Sequence, residues 1–254
     1  SVTSSFWDVQ TSGQSRSEGG VGKTTAEMQD VDTYFEEGWD CADETLNGTC
    51  DYWRIERGQY PLLRLRIGDS LVMPEGLGTV EQPYLIRDPW DLGTVWRRPM
   101  ACYRLEGPVD LSGIKWSIAV VPWFGGSFDG NGHVISNLHI QGDQYIGLFG
   151  QLESGARVFD LGLEAVEVSG NLRVGALVAH NCGCVSTSYS TGAVGGAHDV
   201  GGLVGFNEDG NITASYSTCA VTGGWIVGGL VAYAEDGSIQ MSYSTGPVSY
   251  THLT

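Results

Sequence analysis

Residues 171–196 read NLRVGALVAHNCGCVSTSYSTGAVGG, residues 197–223 AHDVGGLVGFNEDGNITASYSTCAVTG, and residues 224–250 GWIVGGLVAYAEDGSIQMSYSTGPVSY. One phrase is written three times. Its SYST tetrads begin at Ser188, Ser215 and Ser242, a period of 27 residues. Repetition at a fixed period in this range belongs to architectures in which no unit buries its apolar face alone and stacked neighbours build the core. Within the phrase, Ile212, Ala214 and Tyr216 alternate with Thr213, Ser215 and Ser217; Val185, Thr187 and Tyr189 keep the same beat, as do Ile239, Met241 and Tyr243. A period of two, carried by β-branched and aromatic residues without a 3.6-residue stripe, predicts a strand with one face in and one face out. VGGLVG and its variants VGALVA and VGGLVA predict a second, short apolar strand thinned by glycine. Turn formers at 180–183, 207–210 and 235–237 separate the two. Each unit is then strand, turn, strand, turn, with equivalent strands side by side and parallel at about 4.8 Å. Columns of like residues follow: Val174, Val200 and Val227; Leu177, Leu203 and Leu230; Tyr189, Tyr216 and Tyr243. The predicted fold class is all-β, a parallel β-helix.

The repeat [VI]GGLVG…G.I..SYSTG.V resembles the GLUG motif of bacterial surface proteins, adhesins and regions flanking some secreted peptidases. The resemblance covers residues 139–250. It implies a parallel β-solenoid outside the cell with no catalytic residues of its own, and no cofactor.

Composition narrows the function classes. Of 254 residues 38 are glycine, 17% are charged, and the formal net charge is −17. An acidic surface of this size argues against nucleic acid and anionic membranes as partners. Calcium binding is weakly supported, because neither a DxDxDG loop nor a nonapeptide calcium repeat is present. No apolar run approaches the 18 or so residues of a membrane span, and Ser1 opens a polar stretch rather than a signal peptide. Six cysteines, an even count, suit an oxidising compartment. Asn47-Gly48-Thr49 and Asn211-Ile212-Thr213 match the glycosylation sequon, with Asn47 and Asn211 as possible acceptors.

Residues 1–67 lie outside the repeat. SVTSSFWD resembles the second half of a rung. The GGVGKTT stretch at 19–25 invites a nucleotide reading, yet a phosphate loop follows a buried apolar strand in an α/β sheet. Here the preceding residues are polar and glycine-rich, Ser17 stands where the first glycine belongs, and Glu18 where the deviant loop of partitioning ATPases has lysine. TTAEMQDVDTYFEEGWD offers a Thr cap, early acidic residues and a glycine stop, predicting a helix from about Thr25 to Glu37. The segment resembles the one that commonly closes a GLUG array, which makes residues 1–67 a cap-like module with a small α/β character. Cys41 and Cys50 flank ADETLNGT; a disulfide closing that ten-residue loop would contribute about 2 to 3 kcal/mol. Free thiols or metal ligands are the rival reading, and no CxxC spacing supports metal.

Residues 68–80 read as a linker, 81–143 as solenoid entry strands, and 144–254 as the repeat β-helix, with a degenerate first unit at 144–170. Entry strands are expected at Tyr84–Ile86, Cys102–Leu105, Ser127–Asp129 and Val134–Ile140. Asp129-Gly130-Asn131-Gly132-His133 pairs a carboxylate with a histidine, but its glycine and asparagine content marks a tight turn first. His180, Cys182 and Cys184 put three soft ligands within five residues. A fourth is not obvious, so a disulfide from Cys182 or Cys184 to another loop is preferred, Cys102 and Cys219 being the remaining partners. No metal site is assigned.

The functional expectation is a structural, extracellular or cell-surface protein, not an enzyme: a subunit or segment of a fibre or adhesin. The C-terminal rung of one copy would be covered by the N-terminal module of the next, giving a head-to-tail filament; the rival is one piece of a longer tandem chain. Two other classes stay open. One is a glycan- or host-protein-binding module using Trp90, Trp96, Trp116, Trp123 or Trp225. The other is a polysaccharide-active β-helix enzyme, for which paired carboxylates are needed; Asp209 and Asp236 occupy equivalent places, but at turn tips.

Overall fold

The computed structural model describes residues 5–14, 16, 20–30, 32–35, 39, 53–54, 60–63 and 73–250, and the chain divides into two compact units, Ser1–Val72 and Met73–Thr254. Cys41, Asn47 and Cys50, and the disulfide expected there, lie outside the described residues.

In the first unit Phe6–Asp8 pairs in parallel with Val21–Lys23. The Asp8 carboxylate accepts the amides of Gln10 and Thr11 at 2.7 and 2.9 Å, starting a one-turn helix at Val9–Ser12. The helix expected from Thr25 to Glu37 is two pieces, Thr25–Met28 and Asp32–Phe35. Thr24 and Glu27 close the first with a reciprocal capping box, and Asp30 accepts the Asp32 amide at 3.2 Å. Aspartate competes for backbone donors in this way and restarts rather than continues a helix. Phe6, Tyr34 and Trp39 pack as an aromatic cluster with centroids 5.0–5.8 Å apart. Lys23 of the GGVGKTT stretch lies on the edge of this small sheet, its ammonium over the Phe6 ring.

The second unit is a parallel β-solenoid of about six turns. Its rungs carry three faces, where the sequence suggested two. The first is a seven-stranded sheet running Tyr84–Ile86, Cys102–Leu105, Ser127–Asp129, Arg157–Phe159, Cys184–Ser186, Asn211–Thr213 and Ser238–Gln240. The second, of twelve strands, contains Gly162–Ser169, Tyr189–Gly201 and Ala220–Gly228. The third holds Val121–Phe124, Phe149–Leu152, Val178–Asn181, Val204–Glu208 and Val231–Glu235. Every pairing in the solenoid is parallel; Val158, Val185, Ile212 and Ile239 stand in one column, Val178, Val204 and Val231 in another. Residues 73–80 are tied to the entry strand, Glu75 accepting the Leu85 amide at 2.8 Å, and Met73 packs on the core.

The run ending in SYST is not one alternating strand. It breaks at Thr187, Ala214 and Met241, which take φ of 44°, 49° and 49°. Such a left-handed residue turns the chain a corner and reverses which side chains point inward. Ile212 is therefore buried before the corner, while after it Ser215 and Ser217 are buried and Tyr216 faces outward. Each inward serine is satisfied. Ser215 Oγ accepts the Ser188 amide one rung away at 3.2 Å and donates to the Thr213 carbonyl at 2.9 Å; Ser242 repeats both contacts. The tyrosines stack outside as a ladder, Tyr189 on Tyr216 at 5.0 Å and Tyr216 on Tyr243 at 5.2 Å, within 5° of parallel.

The double glycine has a packing cause too. A Cβ on Gly201 or Gly228 would sit 1.8 Å from the carbonyl oxygen of Val204 or Val231. The second glycine faces the SYST serine: a Cβ on Gly229 would meet Ser244 Oγ at 2.3 Å. VGG and SYS are thus two sides of one contact across the rung.

Candidate functional site

Two features of the solenoid carry more than scaffolding: the unevenness of its two ends, and one cluster of reactive side chains on its outside.

At the beginning of the solenoid, a helical turn Pro89–Leu92, capped by Asp88, and a 3-10 turn Val95–Arg97 lay Leu92 and Val95 over the first rungs. Both are fully buried, with Ile86 and Tyr103 beneath them. Exposure rises along the columns toward the last described rung. Ile212 is 0% exposed but Ile239, next in its column, 42%; Val221 is 1% and Val248 39%. Tyr233, Met241, Tyr243 and Tyr250 are exposed beside them.

The cluster grows out of the third sheet. Leu152, Asn181 and Asn207 are register partners, so the following residues Glu153, Cys182 and Glu208 form the next column. Buried asparagines hold it: Asn181 donates to Asn207 at 2.6 Å and accepts the Gly183 amide at 3.1 Å, and Asn207 donates to the Gly210 carbonyl at 2.9 Å. His180, two residues before Cys182, is buried and stacks on Phe206 at 5.0 Å. Its Nε2 is 2.7 Å from Glu208 Oε2 and 3.6 Å from Cys182 Sγ. The ligand atoms of His180, Cys182 and Glu208 all lie within 4.8 Å of one another. Behind the ring Arg173 reaches His180 Nδ1 at 3.2 Å and Tyr145 Oη at 3.3 Å, its guanidinium 4.3 Å from the Phe206 centroid. With Arg173 donating to Nδ1, the neutral ring carries its proton on Nε2 and donates it to Glu208. Burial lowers the proton affinity of His180, with Arg173 acting the same way and Glu208 opposing. Burial raises the Cys182 thiol above its ordinary range, and the carboxylates of Glu208, Glu153 and Asp209 push it further.

Of the three soft ligands predicted, the structure brings His180 and Cys182 together and leaves Cys184 out. Cys184 lies past the Gly183 turn in the first sheet, between Arg157 and Asn211. Glu208 takes its place, missed because it is 28 residues from His180 and only the stacking register makes them neighbours. Cys102, Cys182, Cys184 and Cys219 stand as free thiols, not in the bridge expected for Cys182 or Cys184. Cys102 and Cys184 share a column but are three rungs apart, about 14 Å at 4.8 Å per rung, beyond the roughly 7 Å a disulfide spans. Cys219 is buried just before the second-sheet strand Ala220–Gly228. Asn211 is exposed and accepts from Ser238 Oγ at 2.6 Å. Asp129 accepts the Asn131 amide at 2.8 Å and pairs with Arg104 at 2.9 Å, and Asn131 and Gly132 both have positive φ, so this stretch is a turn. Asp209 and Asp236 sit at φ 56° and 55°, as turn formers do. Trp90, Trp96, Trp123 and Trp225 are exposed and Trp116 is half-buried. No helix among the described residues is long and apolar enough to cross a membrane.

The architecture defines the class: a parallel β-solenoid with rungs of about 27 residues. Residues 196–222 and 223–249 match the GLUG motif, two tandem repeats within this β-solenoid. It is similar to Halomucin from Haloquadratum walsbyi (strain DSM 16790 / HBSQ001), 34% identical over 152 residues; the match takes in 52% of this chain and 2% of that protein's length. A crystal structure described as a candidate immunoglobulin A1 protease from Bacteroides ovatus superposes with a TM-score of 0.51 over 68% of this chain and 70% of the other. At 18% identity that likeness speaks for the fold alone.

Proposed function

We propose that the chain is a structural, non-enzymatic segment of an extracellular surface protein, and that copies associate head to tail through the solenoid ends. The GLUG repeats and the mucin-type name of the similar protein support the location. The carrying observation is the uninterrupted parallel ladder on three faces of the solenoid, in which each rung is a template for one more. The occupant is the N-terminal strand of the next copy. Ser5-Phe6 resembles the Ser242-Tyr243 pair of the tetrad, with phenylalanine in the tyrosine's place, and Phe6–Asp8 already sits in a parallel sheet. Such a contact is heterologous and does not close, so it builds filaments.

Sedimentation velocity and electron microscopy of the purified chain over a wide concentration range test this. Concentration-dependent linear assemblies are expected, abolished by Ile239→Lys with Val248→Lys. A chain that stays monomeric throughout overturns the filament. A second reading, glycan or host-protein binding, draws on Trp225, 60% exposed and stacked on His198 at 6.1 Å; glycan-array binding lost in Trp225→Ala identifies it.

A further inference from the structure

We propose that His180, Cys182 and Glu208 form a three-ligand binding site for a borderline-soft divalent cation of the zinc type. Geometry is the first argument. Zinc bonds of about 2.0 Å to nitrogen or oxygen and about 2.3 Å to sulfur, arranged tetrahedrally, separate neighbouring ligand atoms by roughly 3.3–3.5 Å. Cys182 Sγ and His180 Nε2 are already 3.6 Å apart. Glu208 Oε2, at 2.7 Å from Nε2, has to retreat by roughly half an ångström to reach that spacing. Its side chain is 45% exposed and has room to do so.

The register supplies the rest. Cys182 is sandwiched between Glu153 one rung before and Glu208 one rung after. Glu153 is held by Trp123 Nε1 and by Gln151 Nε2 at 3.2 Å. The intervening Asn181 is fixed in the buried asparagine pair and Phe206 backs the imidazole, so His180 and Glu208 are pre-positioned on strands and Cys182 directly follows one. A thiol flanked by carboxylates gains from a cation that neutralises the shared charge.

Arg173 is the group that opposes the ion. With metal on Nε2, the proton that Nε2 carried moves to Nδ1 and the imidazole stays neutral. Nδ1–H can no longer accept from Arg173, whose guanidinium keeps the Tyr145 hydroxyl and the Phe206 face. Cys182 binds as thiolate, so one proton leaves to solvent per ion bound; the Glu208 carboxylate binds as it stands.

The test uses the whole chain, kept reduced. Co²⁺ titration reads the ultraviolet sulfur-to-cobalt charge-transfer band, and Zn²⁺ affinity is measured against a chromophoric chelator. Wild type is expected to show the thiolate band, and Cys182→Ser to lose it together with one equivalent of Zn²⁺. Glu208→Gln weakens that equivalent by at least about 10-fold, and Arg173→Gln tightens it, by up to about 10-fold. Cys184→Ser leaves it unchanged, which separates this site from the other thiols. Melting curves of the metal-free variants establish that each is folded; Glu208→Gln, at a half-exposed position, serves should Cys182→Ser fail to fold. A wild-type chain with no thiolate band overturns the proposal, as does a folded Cys182→Ser or Glu208→Gln that binds as wild type does.

Discussion

Gly201→Ala adds one methyl group at the heart of the VGGL strand, and the structure assigns it a large cost. The new Cβ would stand 1.8 Å from the Val204 carbonyl oxygen and 2.9 Å from the Ala232 amide nitrogen. Both are backbone atoms of registered strands, so no side-chain rotation relieves the overlap; a shift of more than 1 Å is needed to reach the 3.0 Å floor of real contacts. Overpacking of this kind costs about 3 kcal/mol or more, a Tm drop of roughly 6–12 °C for a unit of this size. The matched control is Gly195→Ala on the same strand, Tyr189–Gly201. There the added Cβ meets only Thr222 O at 3.8 Å, and restricting the unfolded chain stabilises by about 0.4–1 kcal/mol. Thermal melts followed by circular dichroism compare the two directly. Equal melting temperatures would refute the packing account of the motif. The second glycine is held in the same way, since a Cβ on Gly202 would stand 2.1 Å from the Gly229 carbonyl oxygen, whereas the corresponding place in the preceding unit holds Ala176.

Asn207→Ala strips partners from Asn181 Nδ2 and the Gly210 carbonyl, both inside the solenoid; about 2–4 kcal/mol is lost in urea unfolding. Ile226 sits at φ 47° and is 46% exposed, a strained place for a β-branched residue; Ile226→Asn is expected to raise stability by about 0.5–1 kcal/mol in the same assay, asparagine tolerating that region. His180 binds a proton less readily when folded than its ordinary 6.5, so the unfolded chain takes up more protons. Its contribution is present above that pH and is lost as pH falls through 6.5 and below; for the metal-free chain, stability should decline as pH falls through that range, and His180→Gln should flatten the decline.

Much of this was legible because the repeat writes its columns openly. Val185, Ile212 and Ile239 recur in register, and the entry strands Tyr84–Ile86, Cys102–Leu105 and Ser127–Asp129 are found as read. What stayed hidden were the corners. Thr187, Ala214 and Met241 adopt left-handed backbone without being glycine, so nothing in the alternation announced that Ser215 turns inward and Tyr216 out. That reversal also turns two expected faces into three. The cluster was half visible for a similar reason: His180 and Cys182 are neighbours in sequence, whereas Glu208 joins them only through stacking, which a motif search along the chain does not see. The double glycine read as thinning, because the carbonyl it admits belongs to the next strand, which starts three residues on.

The central claim is that the repeats stack one rung at a time in the stated register. Arg104, Asp129, Phe159, Ser186, Thr213 and Gln240 are successive partners in the first sheet. Spin labels on cysteines placed at Arg104 and at each later position in turn, with the native cysteines replaced, give distances by electron paramagnetic resonance. The account predicts growth of about 4.8 Å per rung, reaching about 24 Å at Gln240; distances that fail to rise steadily with rung number would contradict it.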